Sequence, residues 1–183
     1  MNWELDRLPE AMAAFELTVR QYPSFIPAYR DIEYVAMDHD GRMLPMGIEM
    51  LEKMDEYNKH GALFHALGNL YFYDGQKDKA VMMWHEAKDR YREAMDSGDM
   101  NPWNSLGLAT VLYYVGEGDD QIGGLLADAE RLGFKEKNVR LLEELAWLYA
   151  EMEDCDSANR IFSDMKNKFG DYTVPLELRD LCP

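Results

Sequence analysis

Apolar residues recur along this chain at three- and four-residue intervals, in blocks of about a dozen residues separated by short polar stretches rich in Gly, Asp and Pro. That spacing predicts amphipathic helices throughout. The clearest stretch is Gly61–Ala94. It carries Phe64, Leu67, Gly68 and Tyr71, then Asp74-Gly75, then Ala80, Trp84 and Ala87. Two helices joined by a Gly turn account for the pattern. Gly68 and Ala80 let the helices approach closely, and Phe64, Tyr71 and Trp84 fill the space between them.

Weaker copies lie on both sides, which makes the stretch one unit of a repeat. A helix over about 8–21 is stopped by Pro23, and its Ala11 and Phe15 repeat the spacing of Ala80 and Trp84. The next unit opens at Pro27 with a core stripe of Tyr29, Ile32 and Ala36. His39-Asp40-Gly41 reads as its turn, and a second helix over about 43–57 turns Gly47, Leu51 and Met54 inward. Asn101 and Pro102 offer an N-cap and a first helical residue to a third unit. Its first helix carries Trp103, Leu106, Gly107 and Tyr113, and its second is expected to stop at Gly133. The fourth unit pairs Leu142, Leu145, Ala146 and Tyr149 with Ala158, Phe162 and Met165, and Gly170 closes it. Pro175 opens a short helix that would lid the final apolar face.

Phe64, Leu67, Gly68 and Tyr71 resemble the W-x₂-L-G-x₂-Y run of the tetratricopeptide repeat, with Ala80, Trp84 and Ala87 at its small and large second-helix positions. The resemblance implies an all-α fold, a right-handed α-solenoid of helix–turn–helix repeats. Within 1–183 as a single repeat domain, it implies a half-repeat at about 8–23, units at 26–59, 61–94, 100–138 and 139–172, and a cap at 173–183. Glu33, standing where the family has Gly, departs from the pattern.

The family's ligands lie on a concave face lined by first helices. Carried over by register, that face holds Arg30, Tyr34 and Met37, then His65, Asn69, Phe72 and Tyr73. Leu108, Val111 and Tyr114 follow, then Arg140, Glu143, Trp147 and Ala150. Some family members clamp a carboxylate here with Lys, Arg and Asn. Asn69 matches one such position, but His65 replaces the Lys, and only Arg30 and Arg140 add positive charge. The aromatic members suit an apolar peptide or amphipathic helix instead.

A net charge of −16 and a pI near 4.5 oppose binding to nucleic acid or to anionic membrane, and favour a protein or peptide with basic flanks. No stretch is apolar for the roughly 18 residues of a membrane span, and the acidic N-terminal stretch does not read as a secretion signal, so a cytoplasmic location is expected. Two cysteines are too few for a disulfide scaffold and lack metal-ligand spacing, which predicts reduced thiols.

Catalytic signals are weak. Asp38-His39-Asp40-Gly41 lacks the Glu a calcium loop needs, since Gly47 stands there. His60 and His65 are five apart and fall on different helix faces. Neither a cofactor nor a metal is implied. The sequence therefore reads as a non-enzymatic interaction module, chaperone- or adaptor-like, holding a partner segment in an apolar groove. The alternative is a structural segment of a longer array, or a scaffold subunit that self-associates.

Overall fold

The computed structural model describes residues 8–55, 58–170, 172–175 and 182. Among these residues all regular structure is helical: α1 (Leu8–Gln21), α2 (Ile26–Gly41), α3 (Leu44–Asp55), α4 (Gly61–Tyr73), α5 (Lys77–Asp96), α6 (Pro102–Val115), α7 (Asp119–Glu136), α8 (Val139–Glu151) and α9 (Cys155–Phe169). The helices gather into two compact units. One comprises α1–α5 with Tyr114–Glu117, and the other α6 as far as Tyr113 with α7–α9.

In the first unit α4 packs against α2, α3 and α5, and its first eleven residues are buried on every side. Size matching explains this. A Cβ added at Gly68 would lie 2.4 Å from the Trp84 ring, and one at Gly61 2.7 Å from Tyr91, so α5 seats its two large rings where α4 has no side chain. Gly47 does the same on α3, where an added Cβ would lie 2.7 Å from Ala36 of α2. Gly75, at φ +78°, makes the turn between α4 and α5. His60 caps α4, its Nδ1 accepting from the Ala62 amide at 3.2 Å.

In the second unit α8 lies between α7 and α9, and Leu141, Leu142, Leu145, Ala158, Ile161, Phe162 and Met165 form the core. Asn138 and Asp154 cap α8 and α9 through side-chain oxygens. Gly170, at φ +74°, ends α9 as expected.

Three expectations are corrected, and a fourth falls on residues that are not described. His39 and Asp40 belong to α2, which continues to Gly41, so the turn comes at Arg42-Met43. α1 buries Met12 and Val19, leaving Ala11 and Phe15 only partly covered; its core stripe is shifted by one residue. Gly133 does not stop α7. It sits inside the helix because an added Cβ would meet Leu142 at 2.9 Å, and Lys137 in the left-handed region ends the helix instead. The helix expected from Pro175 lies outside the described residues.

Candidate functional site

The predicted first-helix face is best built from Glu33, the residue that broke the repeat pattern. On α2, Glu33 is buried and meets Arg30 one turn earlier, with Nη1 to Oε2 at 2.9 Å. Its other oxygen accepts from Asn69 Nδ2 at 2.8 Å, and Asn69 Oδ1 accepts from Trp84 Nε1 at 2.9 Å. This chain of hydrogen bonds ties α2, α4 and α5 together. Every member is polar and largely buried, and each found partner offsets part of the cost of leaving water.

Asn69 is thus an internal bracket, with no side to offer a ligand. His65, one turn before it, is buried too. Its Nδ1 lies 3.4 Å from the Tyr91 hydroxyl, and its Nε2 has no hydrogen-bond partner. Burial, then the nearby Arg30 charge, hold its pKa well below the usual histidine value, so the ring is neutral. Val111 is fully buried in the second unit. Leu108 beside it is buried as well, so the expected free face is corrected at His65, Asn69, Leu108 and Val111.

What reaches the surface is aromatic. Rings run through the first unit in continuous contact, from Tyr91 to His65, Tyr114, Trp84, Phe72 and Tyr73, with centroid separations of 4.9 to 6.3 Å. The run begins in the core and ends in solvent, where Phe72 is 47% and Tyr73 63% exposed. Lys77 lies over the Phe72 ring at 6.0 Å. On α2, Tyr34 is 44% exposed with the Arg30 guanidinium 5.7 Å from its ring, and Met37 is half-buried.

In the second unit Arg140 and Trp147 are half-buried on α8, and Trp147 Nε1 donates to Glu151 at 3.1 Å. Glu143 accepts from the Tyr172 hydroxyl at 3.0 Å, and burial raises its pKa.

Sequence reasoning passed over three features. The signal for the Glu33 bracket was present, since a carboxylate at a glycine position inside a core stripe needs a buried partner. Tyr91 gave none beyond its helical spacing. The cysteines are corrected outright. Cys155 and Cys182 form a disulfide, with Cα atoms 5.3 Å apart, and 27 residues of separation gave no hint of it. Among the described residues no His, Cys, Asp or Glu cluster could hold a metal ion, and no described helix is long and apolar enough to cross a membrane.

No family model matches the chain, and no match was found among curated protein sequences. Solved structures do resemble it. The crystal structure of TTC0263, a thermophilic TPR protein of Thermus thermophilus, aligns over 96% of this chain and 89% of that one, at 17% identity and a TM-score of 0.57. A crystal structure of MamA aligns over 94% of this chain and all of that one, at 15% identity and a TM-score of 0.43. The likeness to TTC0263 shows the fold: an all-α helical repeat of the tetratricopeptide type.

Proposed function

We propose that the chain is a non-enzymatic protein–protein interaction scaffold that holds an apolar peptide or amphipathic helix of its partner on exposed first-helix aromatics. One observation carries the reading. Phe72 and Tyr73 project from the end of a helix otherwise buried on all sides; Trp84, anchored by Asn69, backs Phe72, and Phe72 packs edge-on against Tyr73. Rings already held in place lose little freedom on binding, and large aromatics dominate interface energies. On α2 of the same unit Tyr34 offers a further exposed ring, and His65 and Asn69 lie beneath, against Tyr114 and Trp84. Trp147 on α8 is a candidate contact of the second unit by itself. The acidity of the chain selects basic flanks on the partner. An adaptor or chaperone-like task in the cytoplasm is the biological form of this reading.

Selection from a displayed random-peptide library tests it. Wild type should enrich peptides with apolar anchors at helical spacing and Lys or Arg nearby. The Phe72→Ala/Tyr73→Ala variant, with an unchanged circular-dichroism spectrum, should bind them at least about tenfold more weakly. Equal affinity in the two proteins would sink the proposal.

A further inference from the structure

We propose that Cys155 and Cys182 are a reversible thiol–disulfide pair, a redox site whose state sets how firmly Cys182 is held against the start of α9. The chain has only these two cysteines, so no third thiol competes for either sulfur. The bond joins the first residue of α9 to a buried residue well beyond its end, and so closes a loop around the whole helix. One end of the bond, Cys182, is buried, and the other, Cys155, is partly exposed. Leu141, Leu142, Leu145, Ala158, Ile161, Phe162 and Met165 pack α8 on α9 without it. Breaking the bond therefore releases Cys182 from α9 and leaves the helical pair folded. Tyr172, hydrogen-bonded to Glu143 of α8, is a separate non-covalent tie that does not depend on the bond.

The two sulfurs differ in access. Cys155 is partly exposed and Cys182 is buried, so a reductant reaches Cys155 Sγ first. The thiolate of a dithiol attacks that sulfur. A new S–S bond forms, the protein's S–S bond breaks, and Cys182 leaves as a thiolate that takes a proton from water. The second thiol of the reductant then displaces Cys155, which is protonated in turn, and the dithiol departs oxidised by two electrons. Asp154 and Asp156 flank Cys155 and oppose the pull of the helix N-terminus on negative charge. An uncharged dithiol should therefore react faster than anionic glutathione at equal thiolate concentration. In the cytoplasm such a bond would be transient and redox-sensing, and in an oxidising compartment it would persist.

The test uses the purified chain, equilibrated in dithiothreitol buffers of graded ratio, quenched with a maleimide and weighed by mass spectrometry. Thermal unfolding and limited proteolysis are followed on each form. The proposal expects two protected thiols in the oxidised protein, two free thiols after reduction without denaturant, and full reoxidation. It also expects unchanged helix content, a melting midpoint for the second unit lowered by at least about 5 °C, and new cleavage confined to residues beyond Gly170. Cys155→Ser and Cys182→Ser should each copy the reduced form. Reduction that needs denaturant would make the bond a fixed crosslink and overturn the proposal. Free thiols persisting in the folded protein under oxidised dithiothreitol would overturn it equally.

Discussion

Asn69 illustrates how much one side chain can decide. Its amide faces two buried groups at once, donating a hydrogen bond to Glu33 and accepting one from Trp84. Asn69→Leu fills similar space but leaves the indole N–H unsatisfied and the buried carboxylate with one fewer donor. Unpaired buried groups cost about 1–3 kcal/mol each, so we expect a loss of roughly 2–4 kcal/mol, read from the urea midpoint of the first unit. A loss below about 0.5 kcal/mol would mean that water replaces the bracket. Gly68→Ala tests the neighbouring rule, because the new methyl would lie 2.4 Å from the Trp84 ring; overpacking of this kind costs about 1–3 kcal/mol. His65 adds a pH dependence. Its folded pKa lies well below the ordinary 6.5, so near and below that pH the unfolded chain binds a proton that the folded chain refuses. Its contribution to stability is complete above 6.5 and falls as pH drops below it. His60, also depressed by burial, acts in the same direction. Hydrogen exchange of α4 amides at pH 7 and pH 5 should show the fall in wild type and a shallower one in His65→Leu. Equal slopes would assign the effect elsewhere.

Helices form where a local signal and a long-range one agree, and that agreement marks what the sequence made legible. Gly75, Pro102 and Gly170 act through their own backbone geometry, so the ends they set were readable from a few residues. Gly133 looked like the same signal and is something else, a gap left for Leu141 and Leu142 of α8. Only the packed partner distinguishes a glycine needed for its backbone from one needed for its missing Cβ. The site followed the same division. Phe72 and Tyr73 were legible as aromatics outside the packing pattern, whereas the burial of His65, Asn69 and Val111 depends on which neighbours cover them. α7 allows a direct test of the distinction. Gly124→Ala meets nothing within 4 Å on an exposed helical turn, so it should stabilise by up to about 1 kcal/mol. Gly133→Ala gains the same propensity, but its methyl would lie 2.9 Å from Leu142 Cδ2, a side chain with no room to move in the core. We expect a net loss of about 1–2 kcal/mol there, measured by thermal unfolding of each variant. Both substitutions stabilising would show that α7 and α8 separate easily.

Across the whole molecule the net charge of −16 acts on folding and on association with opposite sign. Like charges repel in the compact state, so raising salt should stabilise the chain; the Debye length shrinks from roughly 30 Å at 0.01 M to 10 Å at 0.1 M. The same screening removes the long-range attraction for a basic-flanked peptide. That attraction governs encounter, whereas contacts with Phe72 and Tyr73 form only once the peptide has arrived. Salt should therefore lower the association rate and leave dissociation nearly constant, while Phe72→Ala/Tyr73→Ala should raise dissociation and leave association nearly constant. Stopped-flow binding of one selected peptide, at low and at high NaCl, to wild type and variant separates the two effects in four traces. If salt and mutation changed the same rate, one surface would be supplying both charge and apolar contact. The acidic surface would then be part of the docking face and could no longer be described as a field around it.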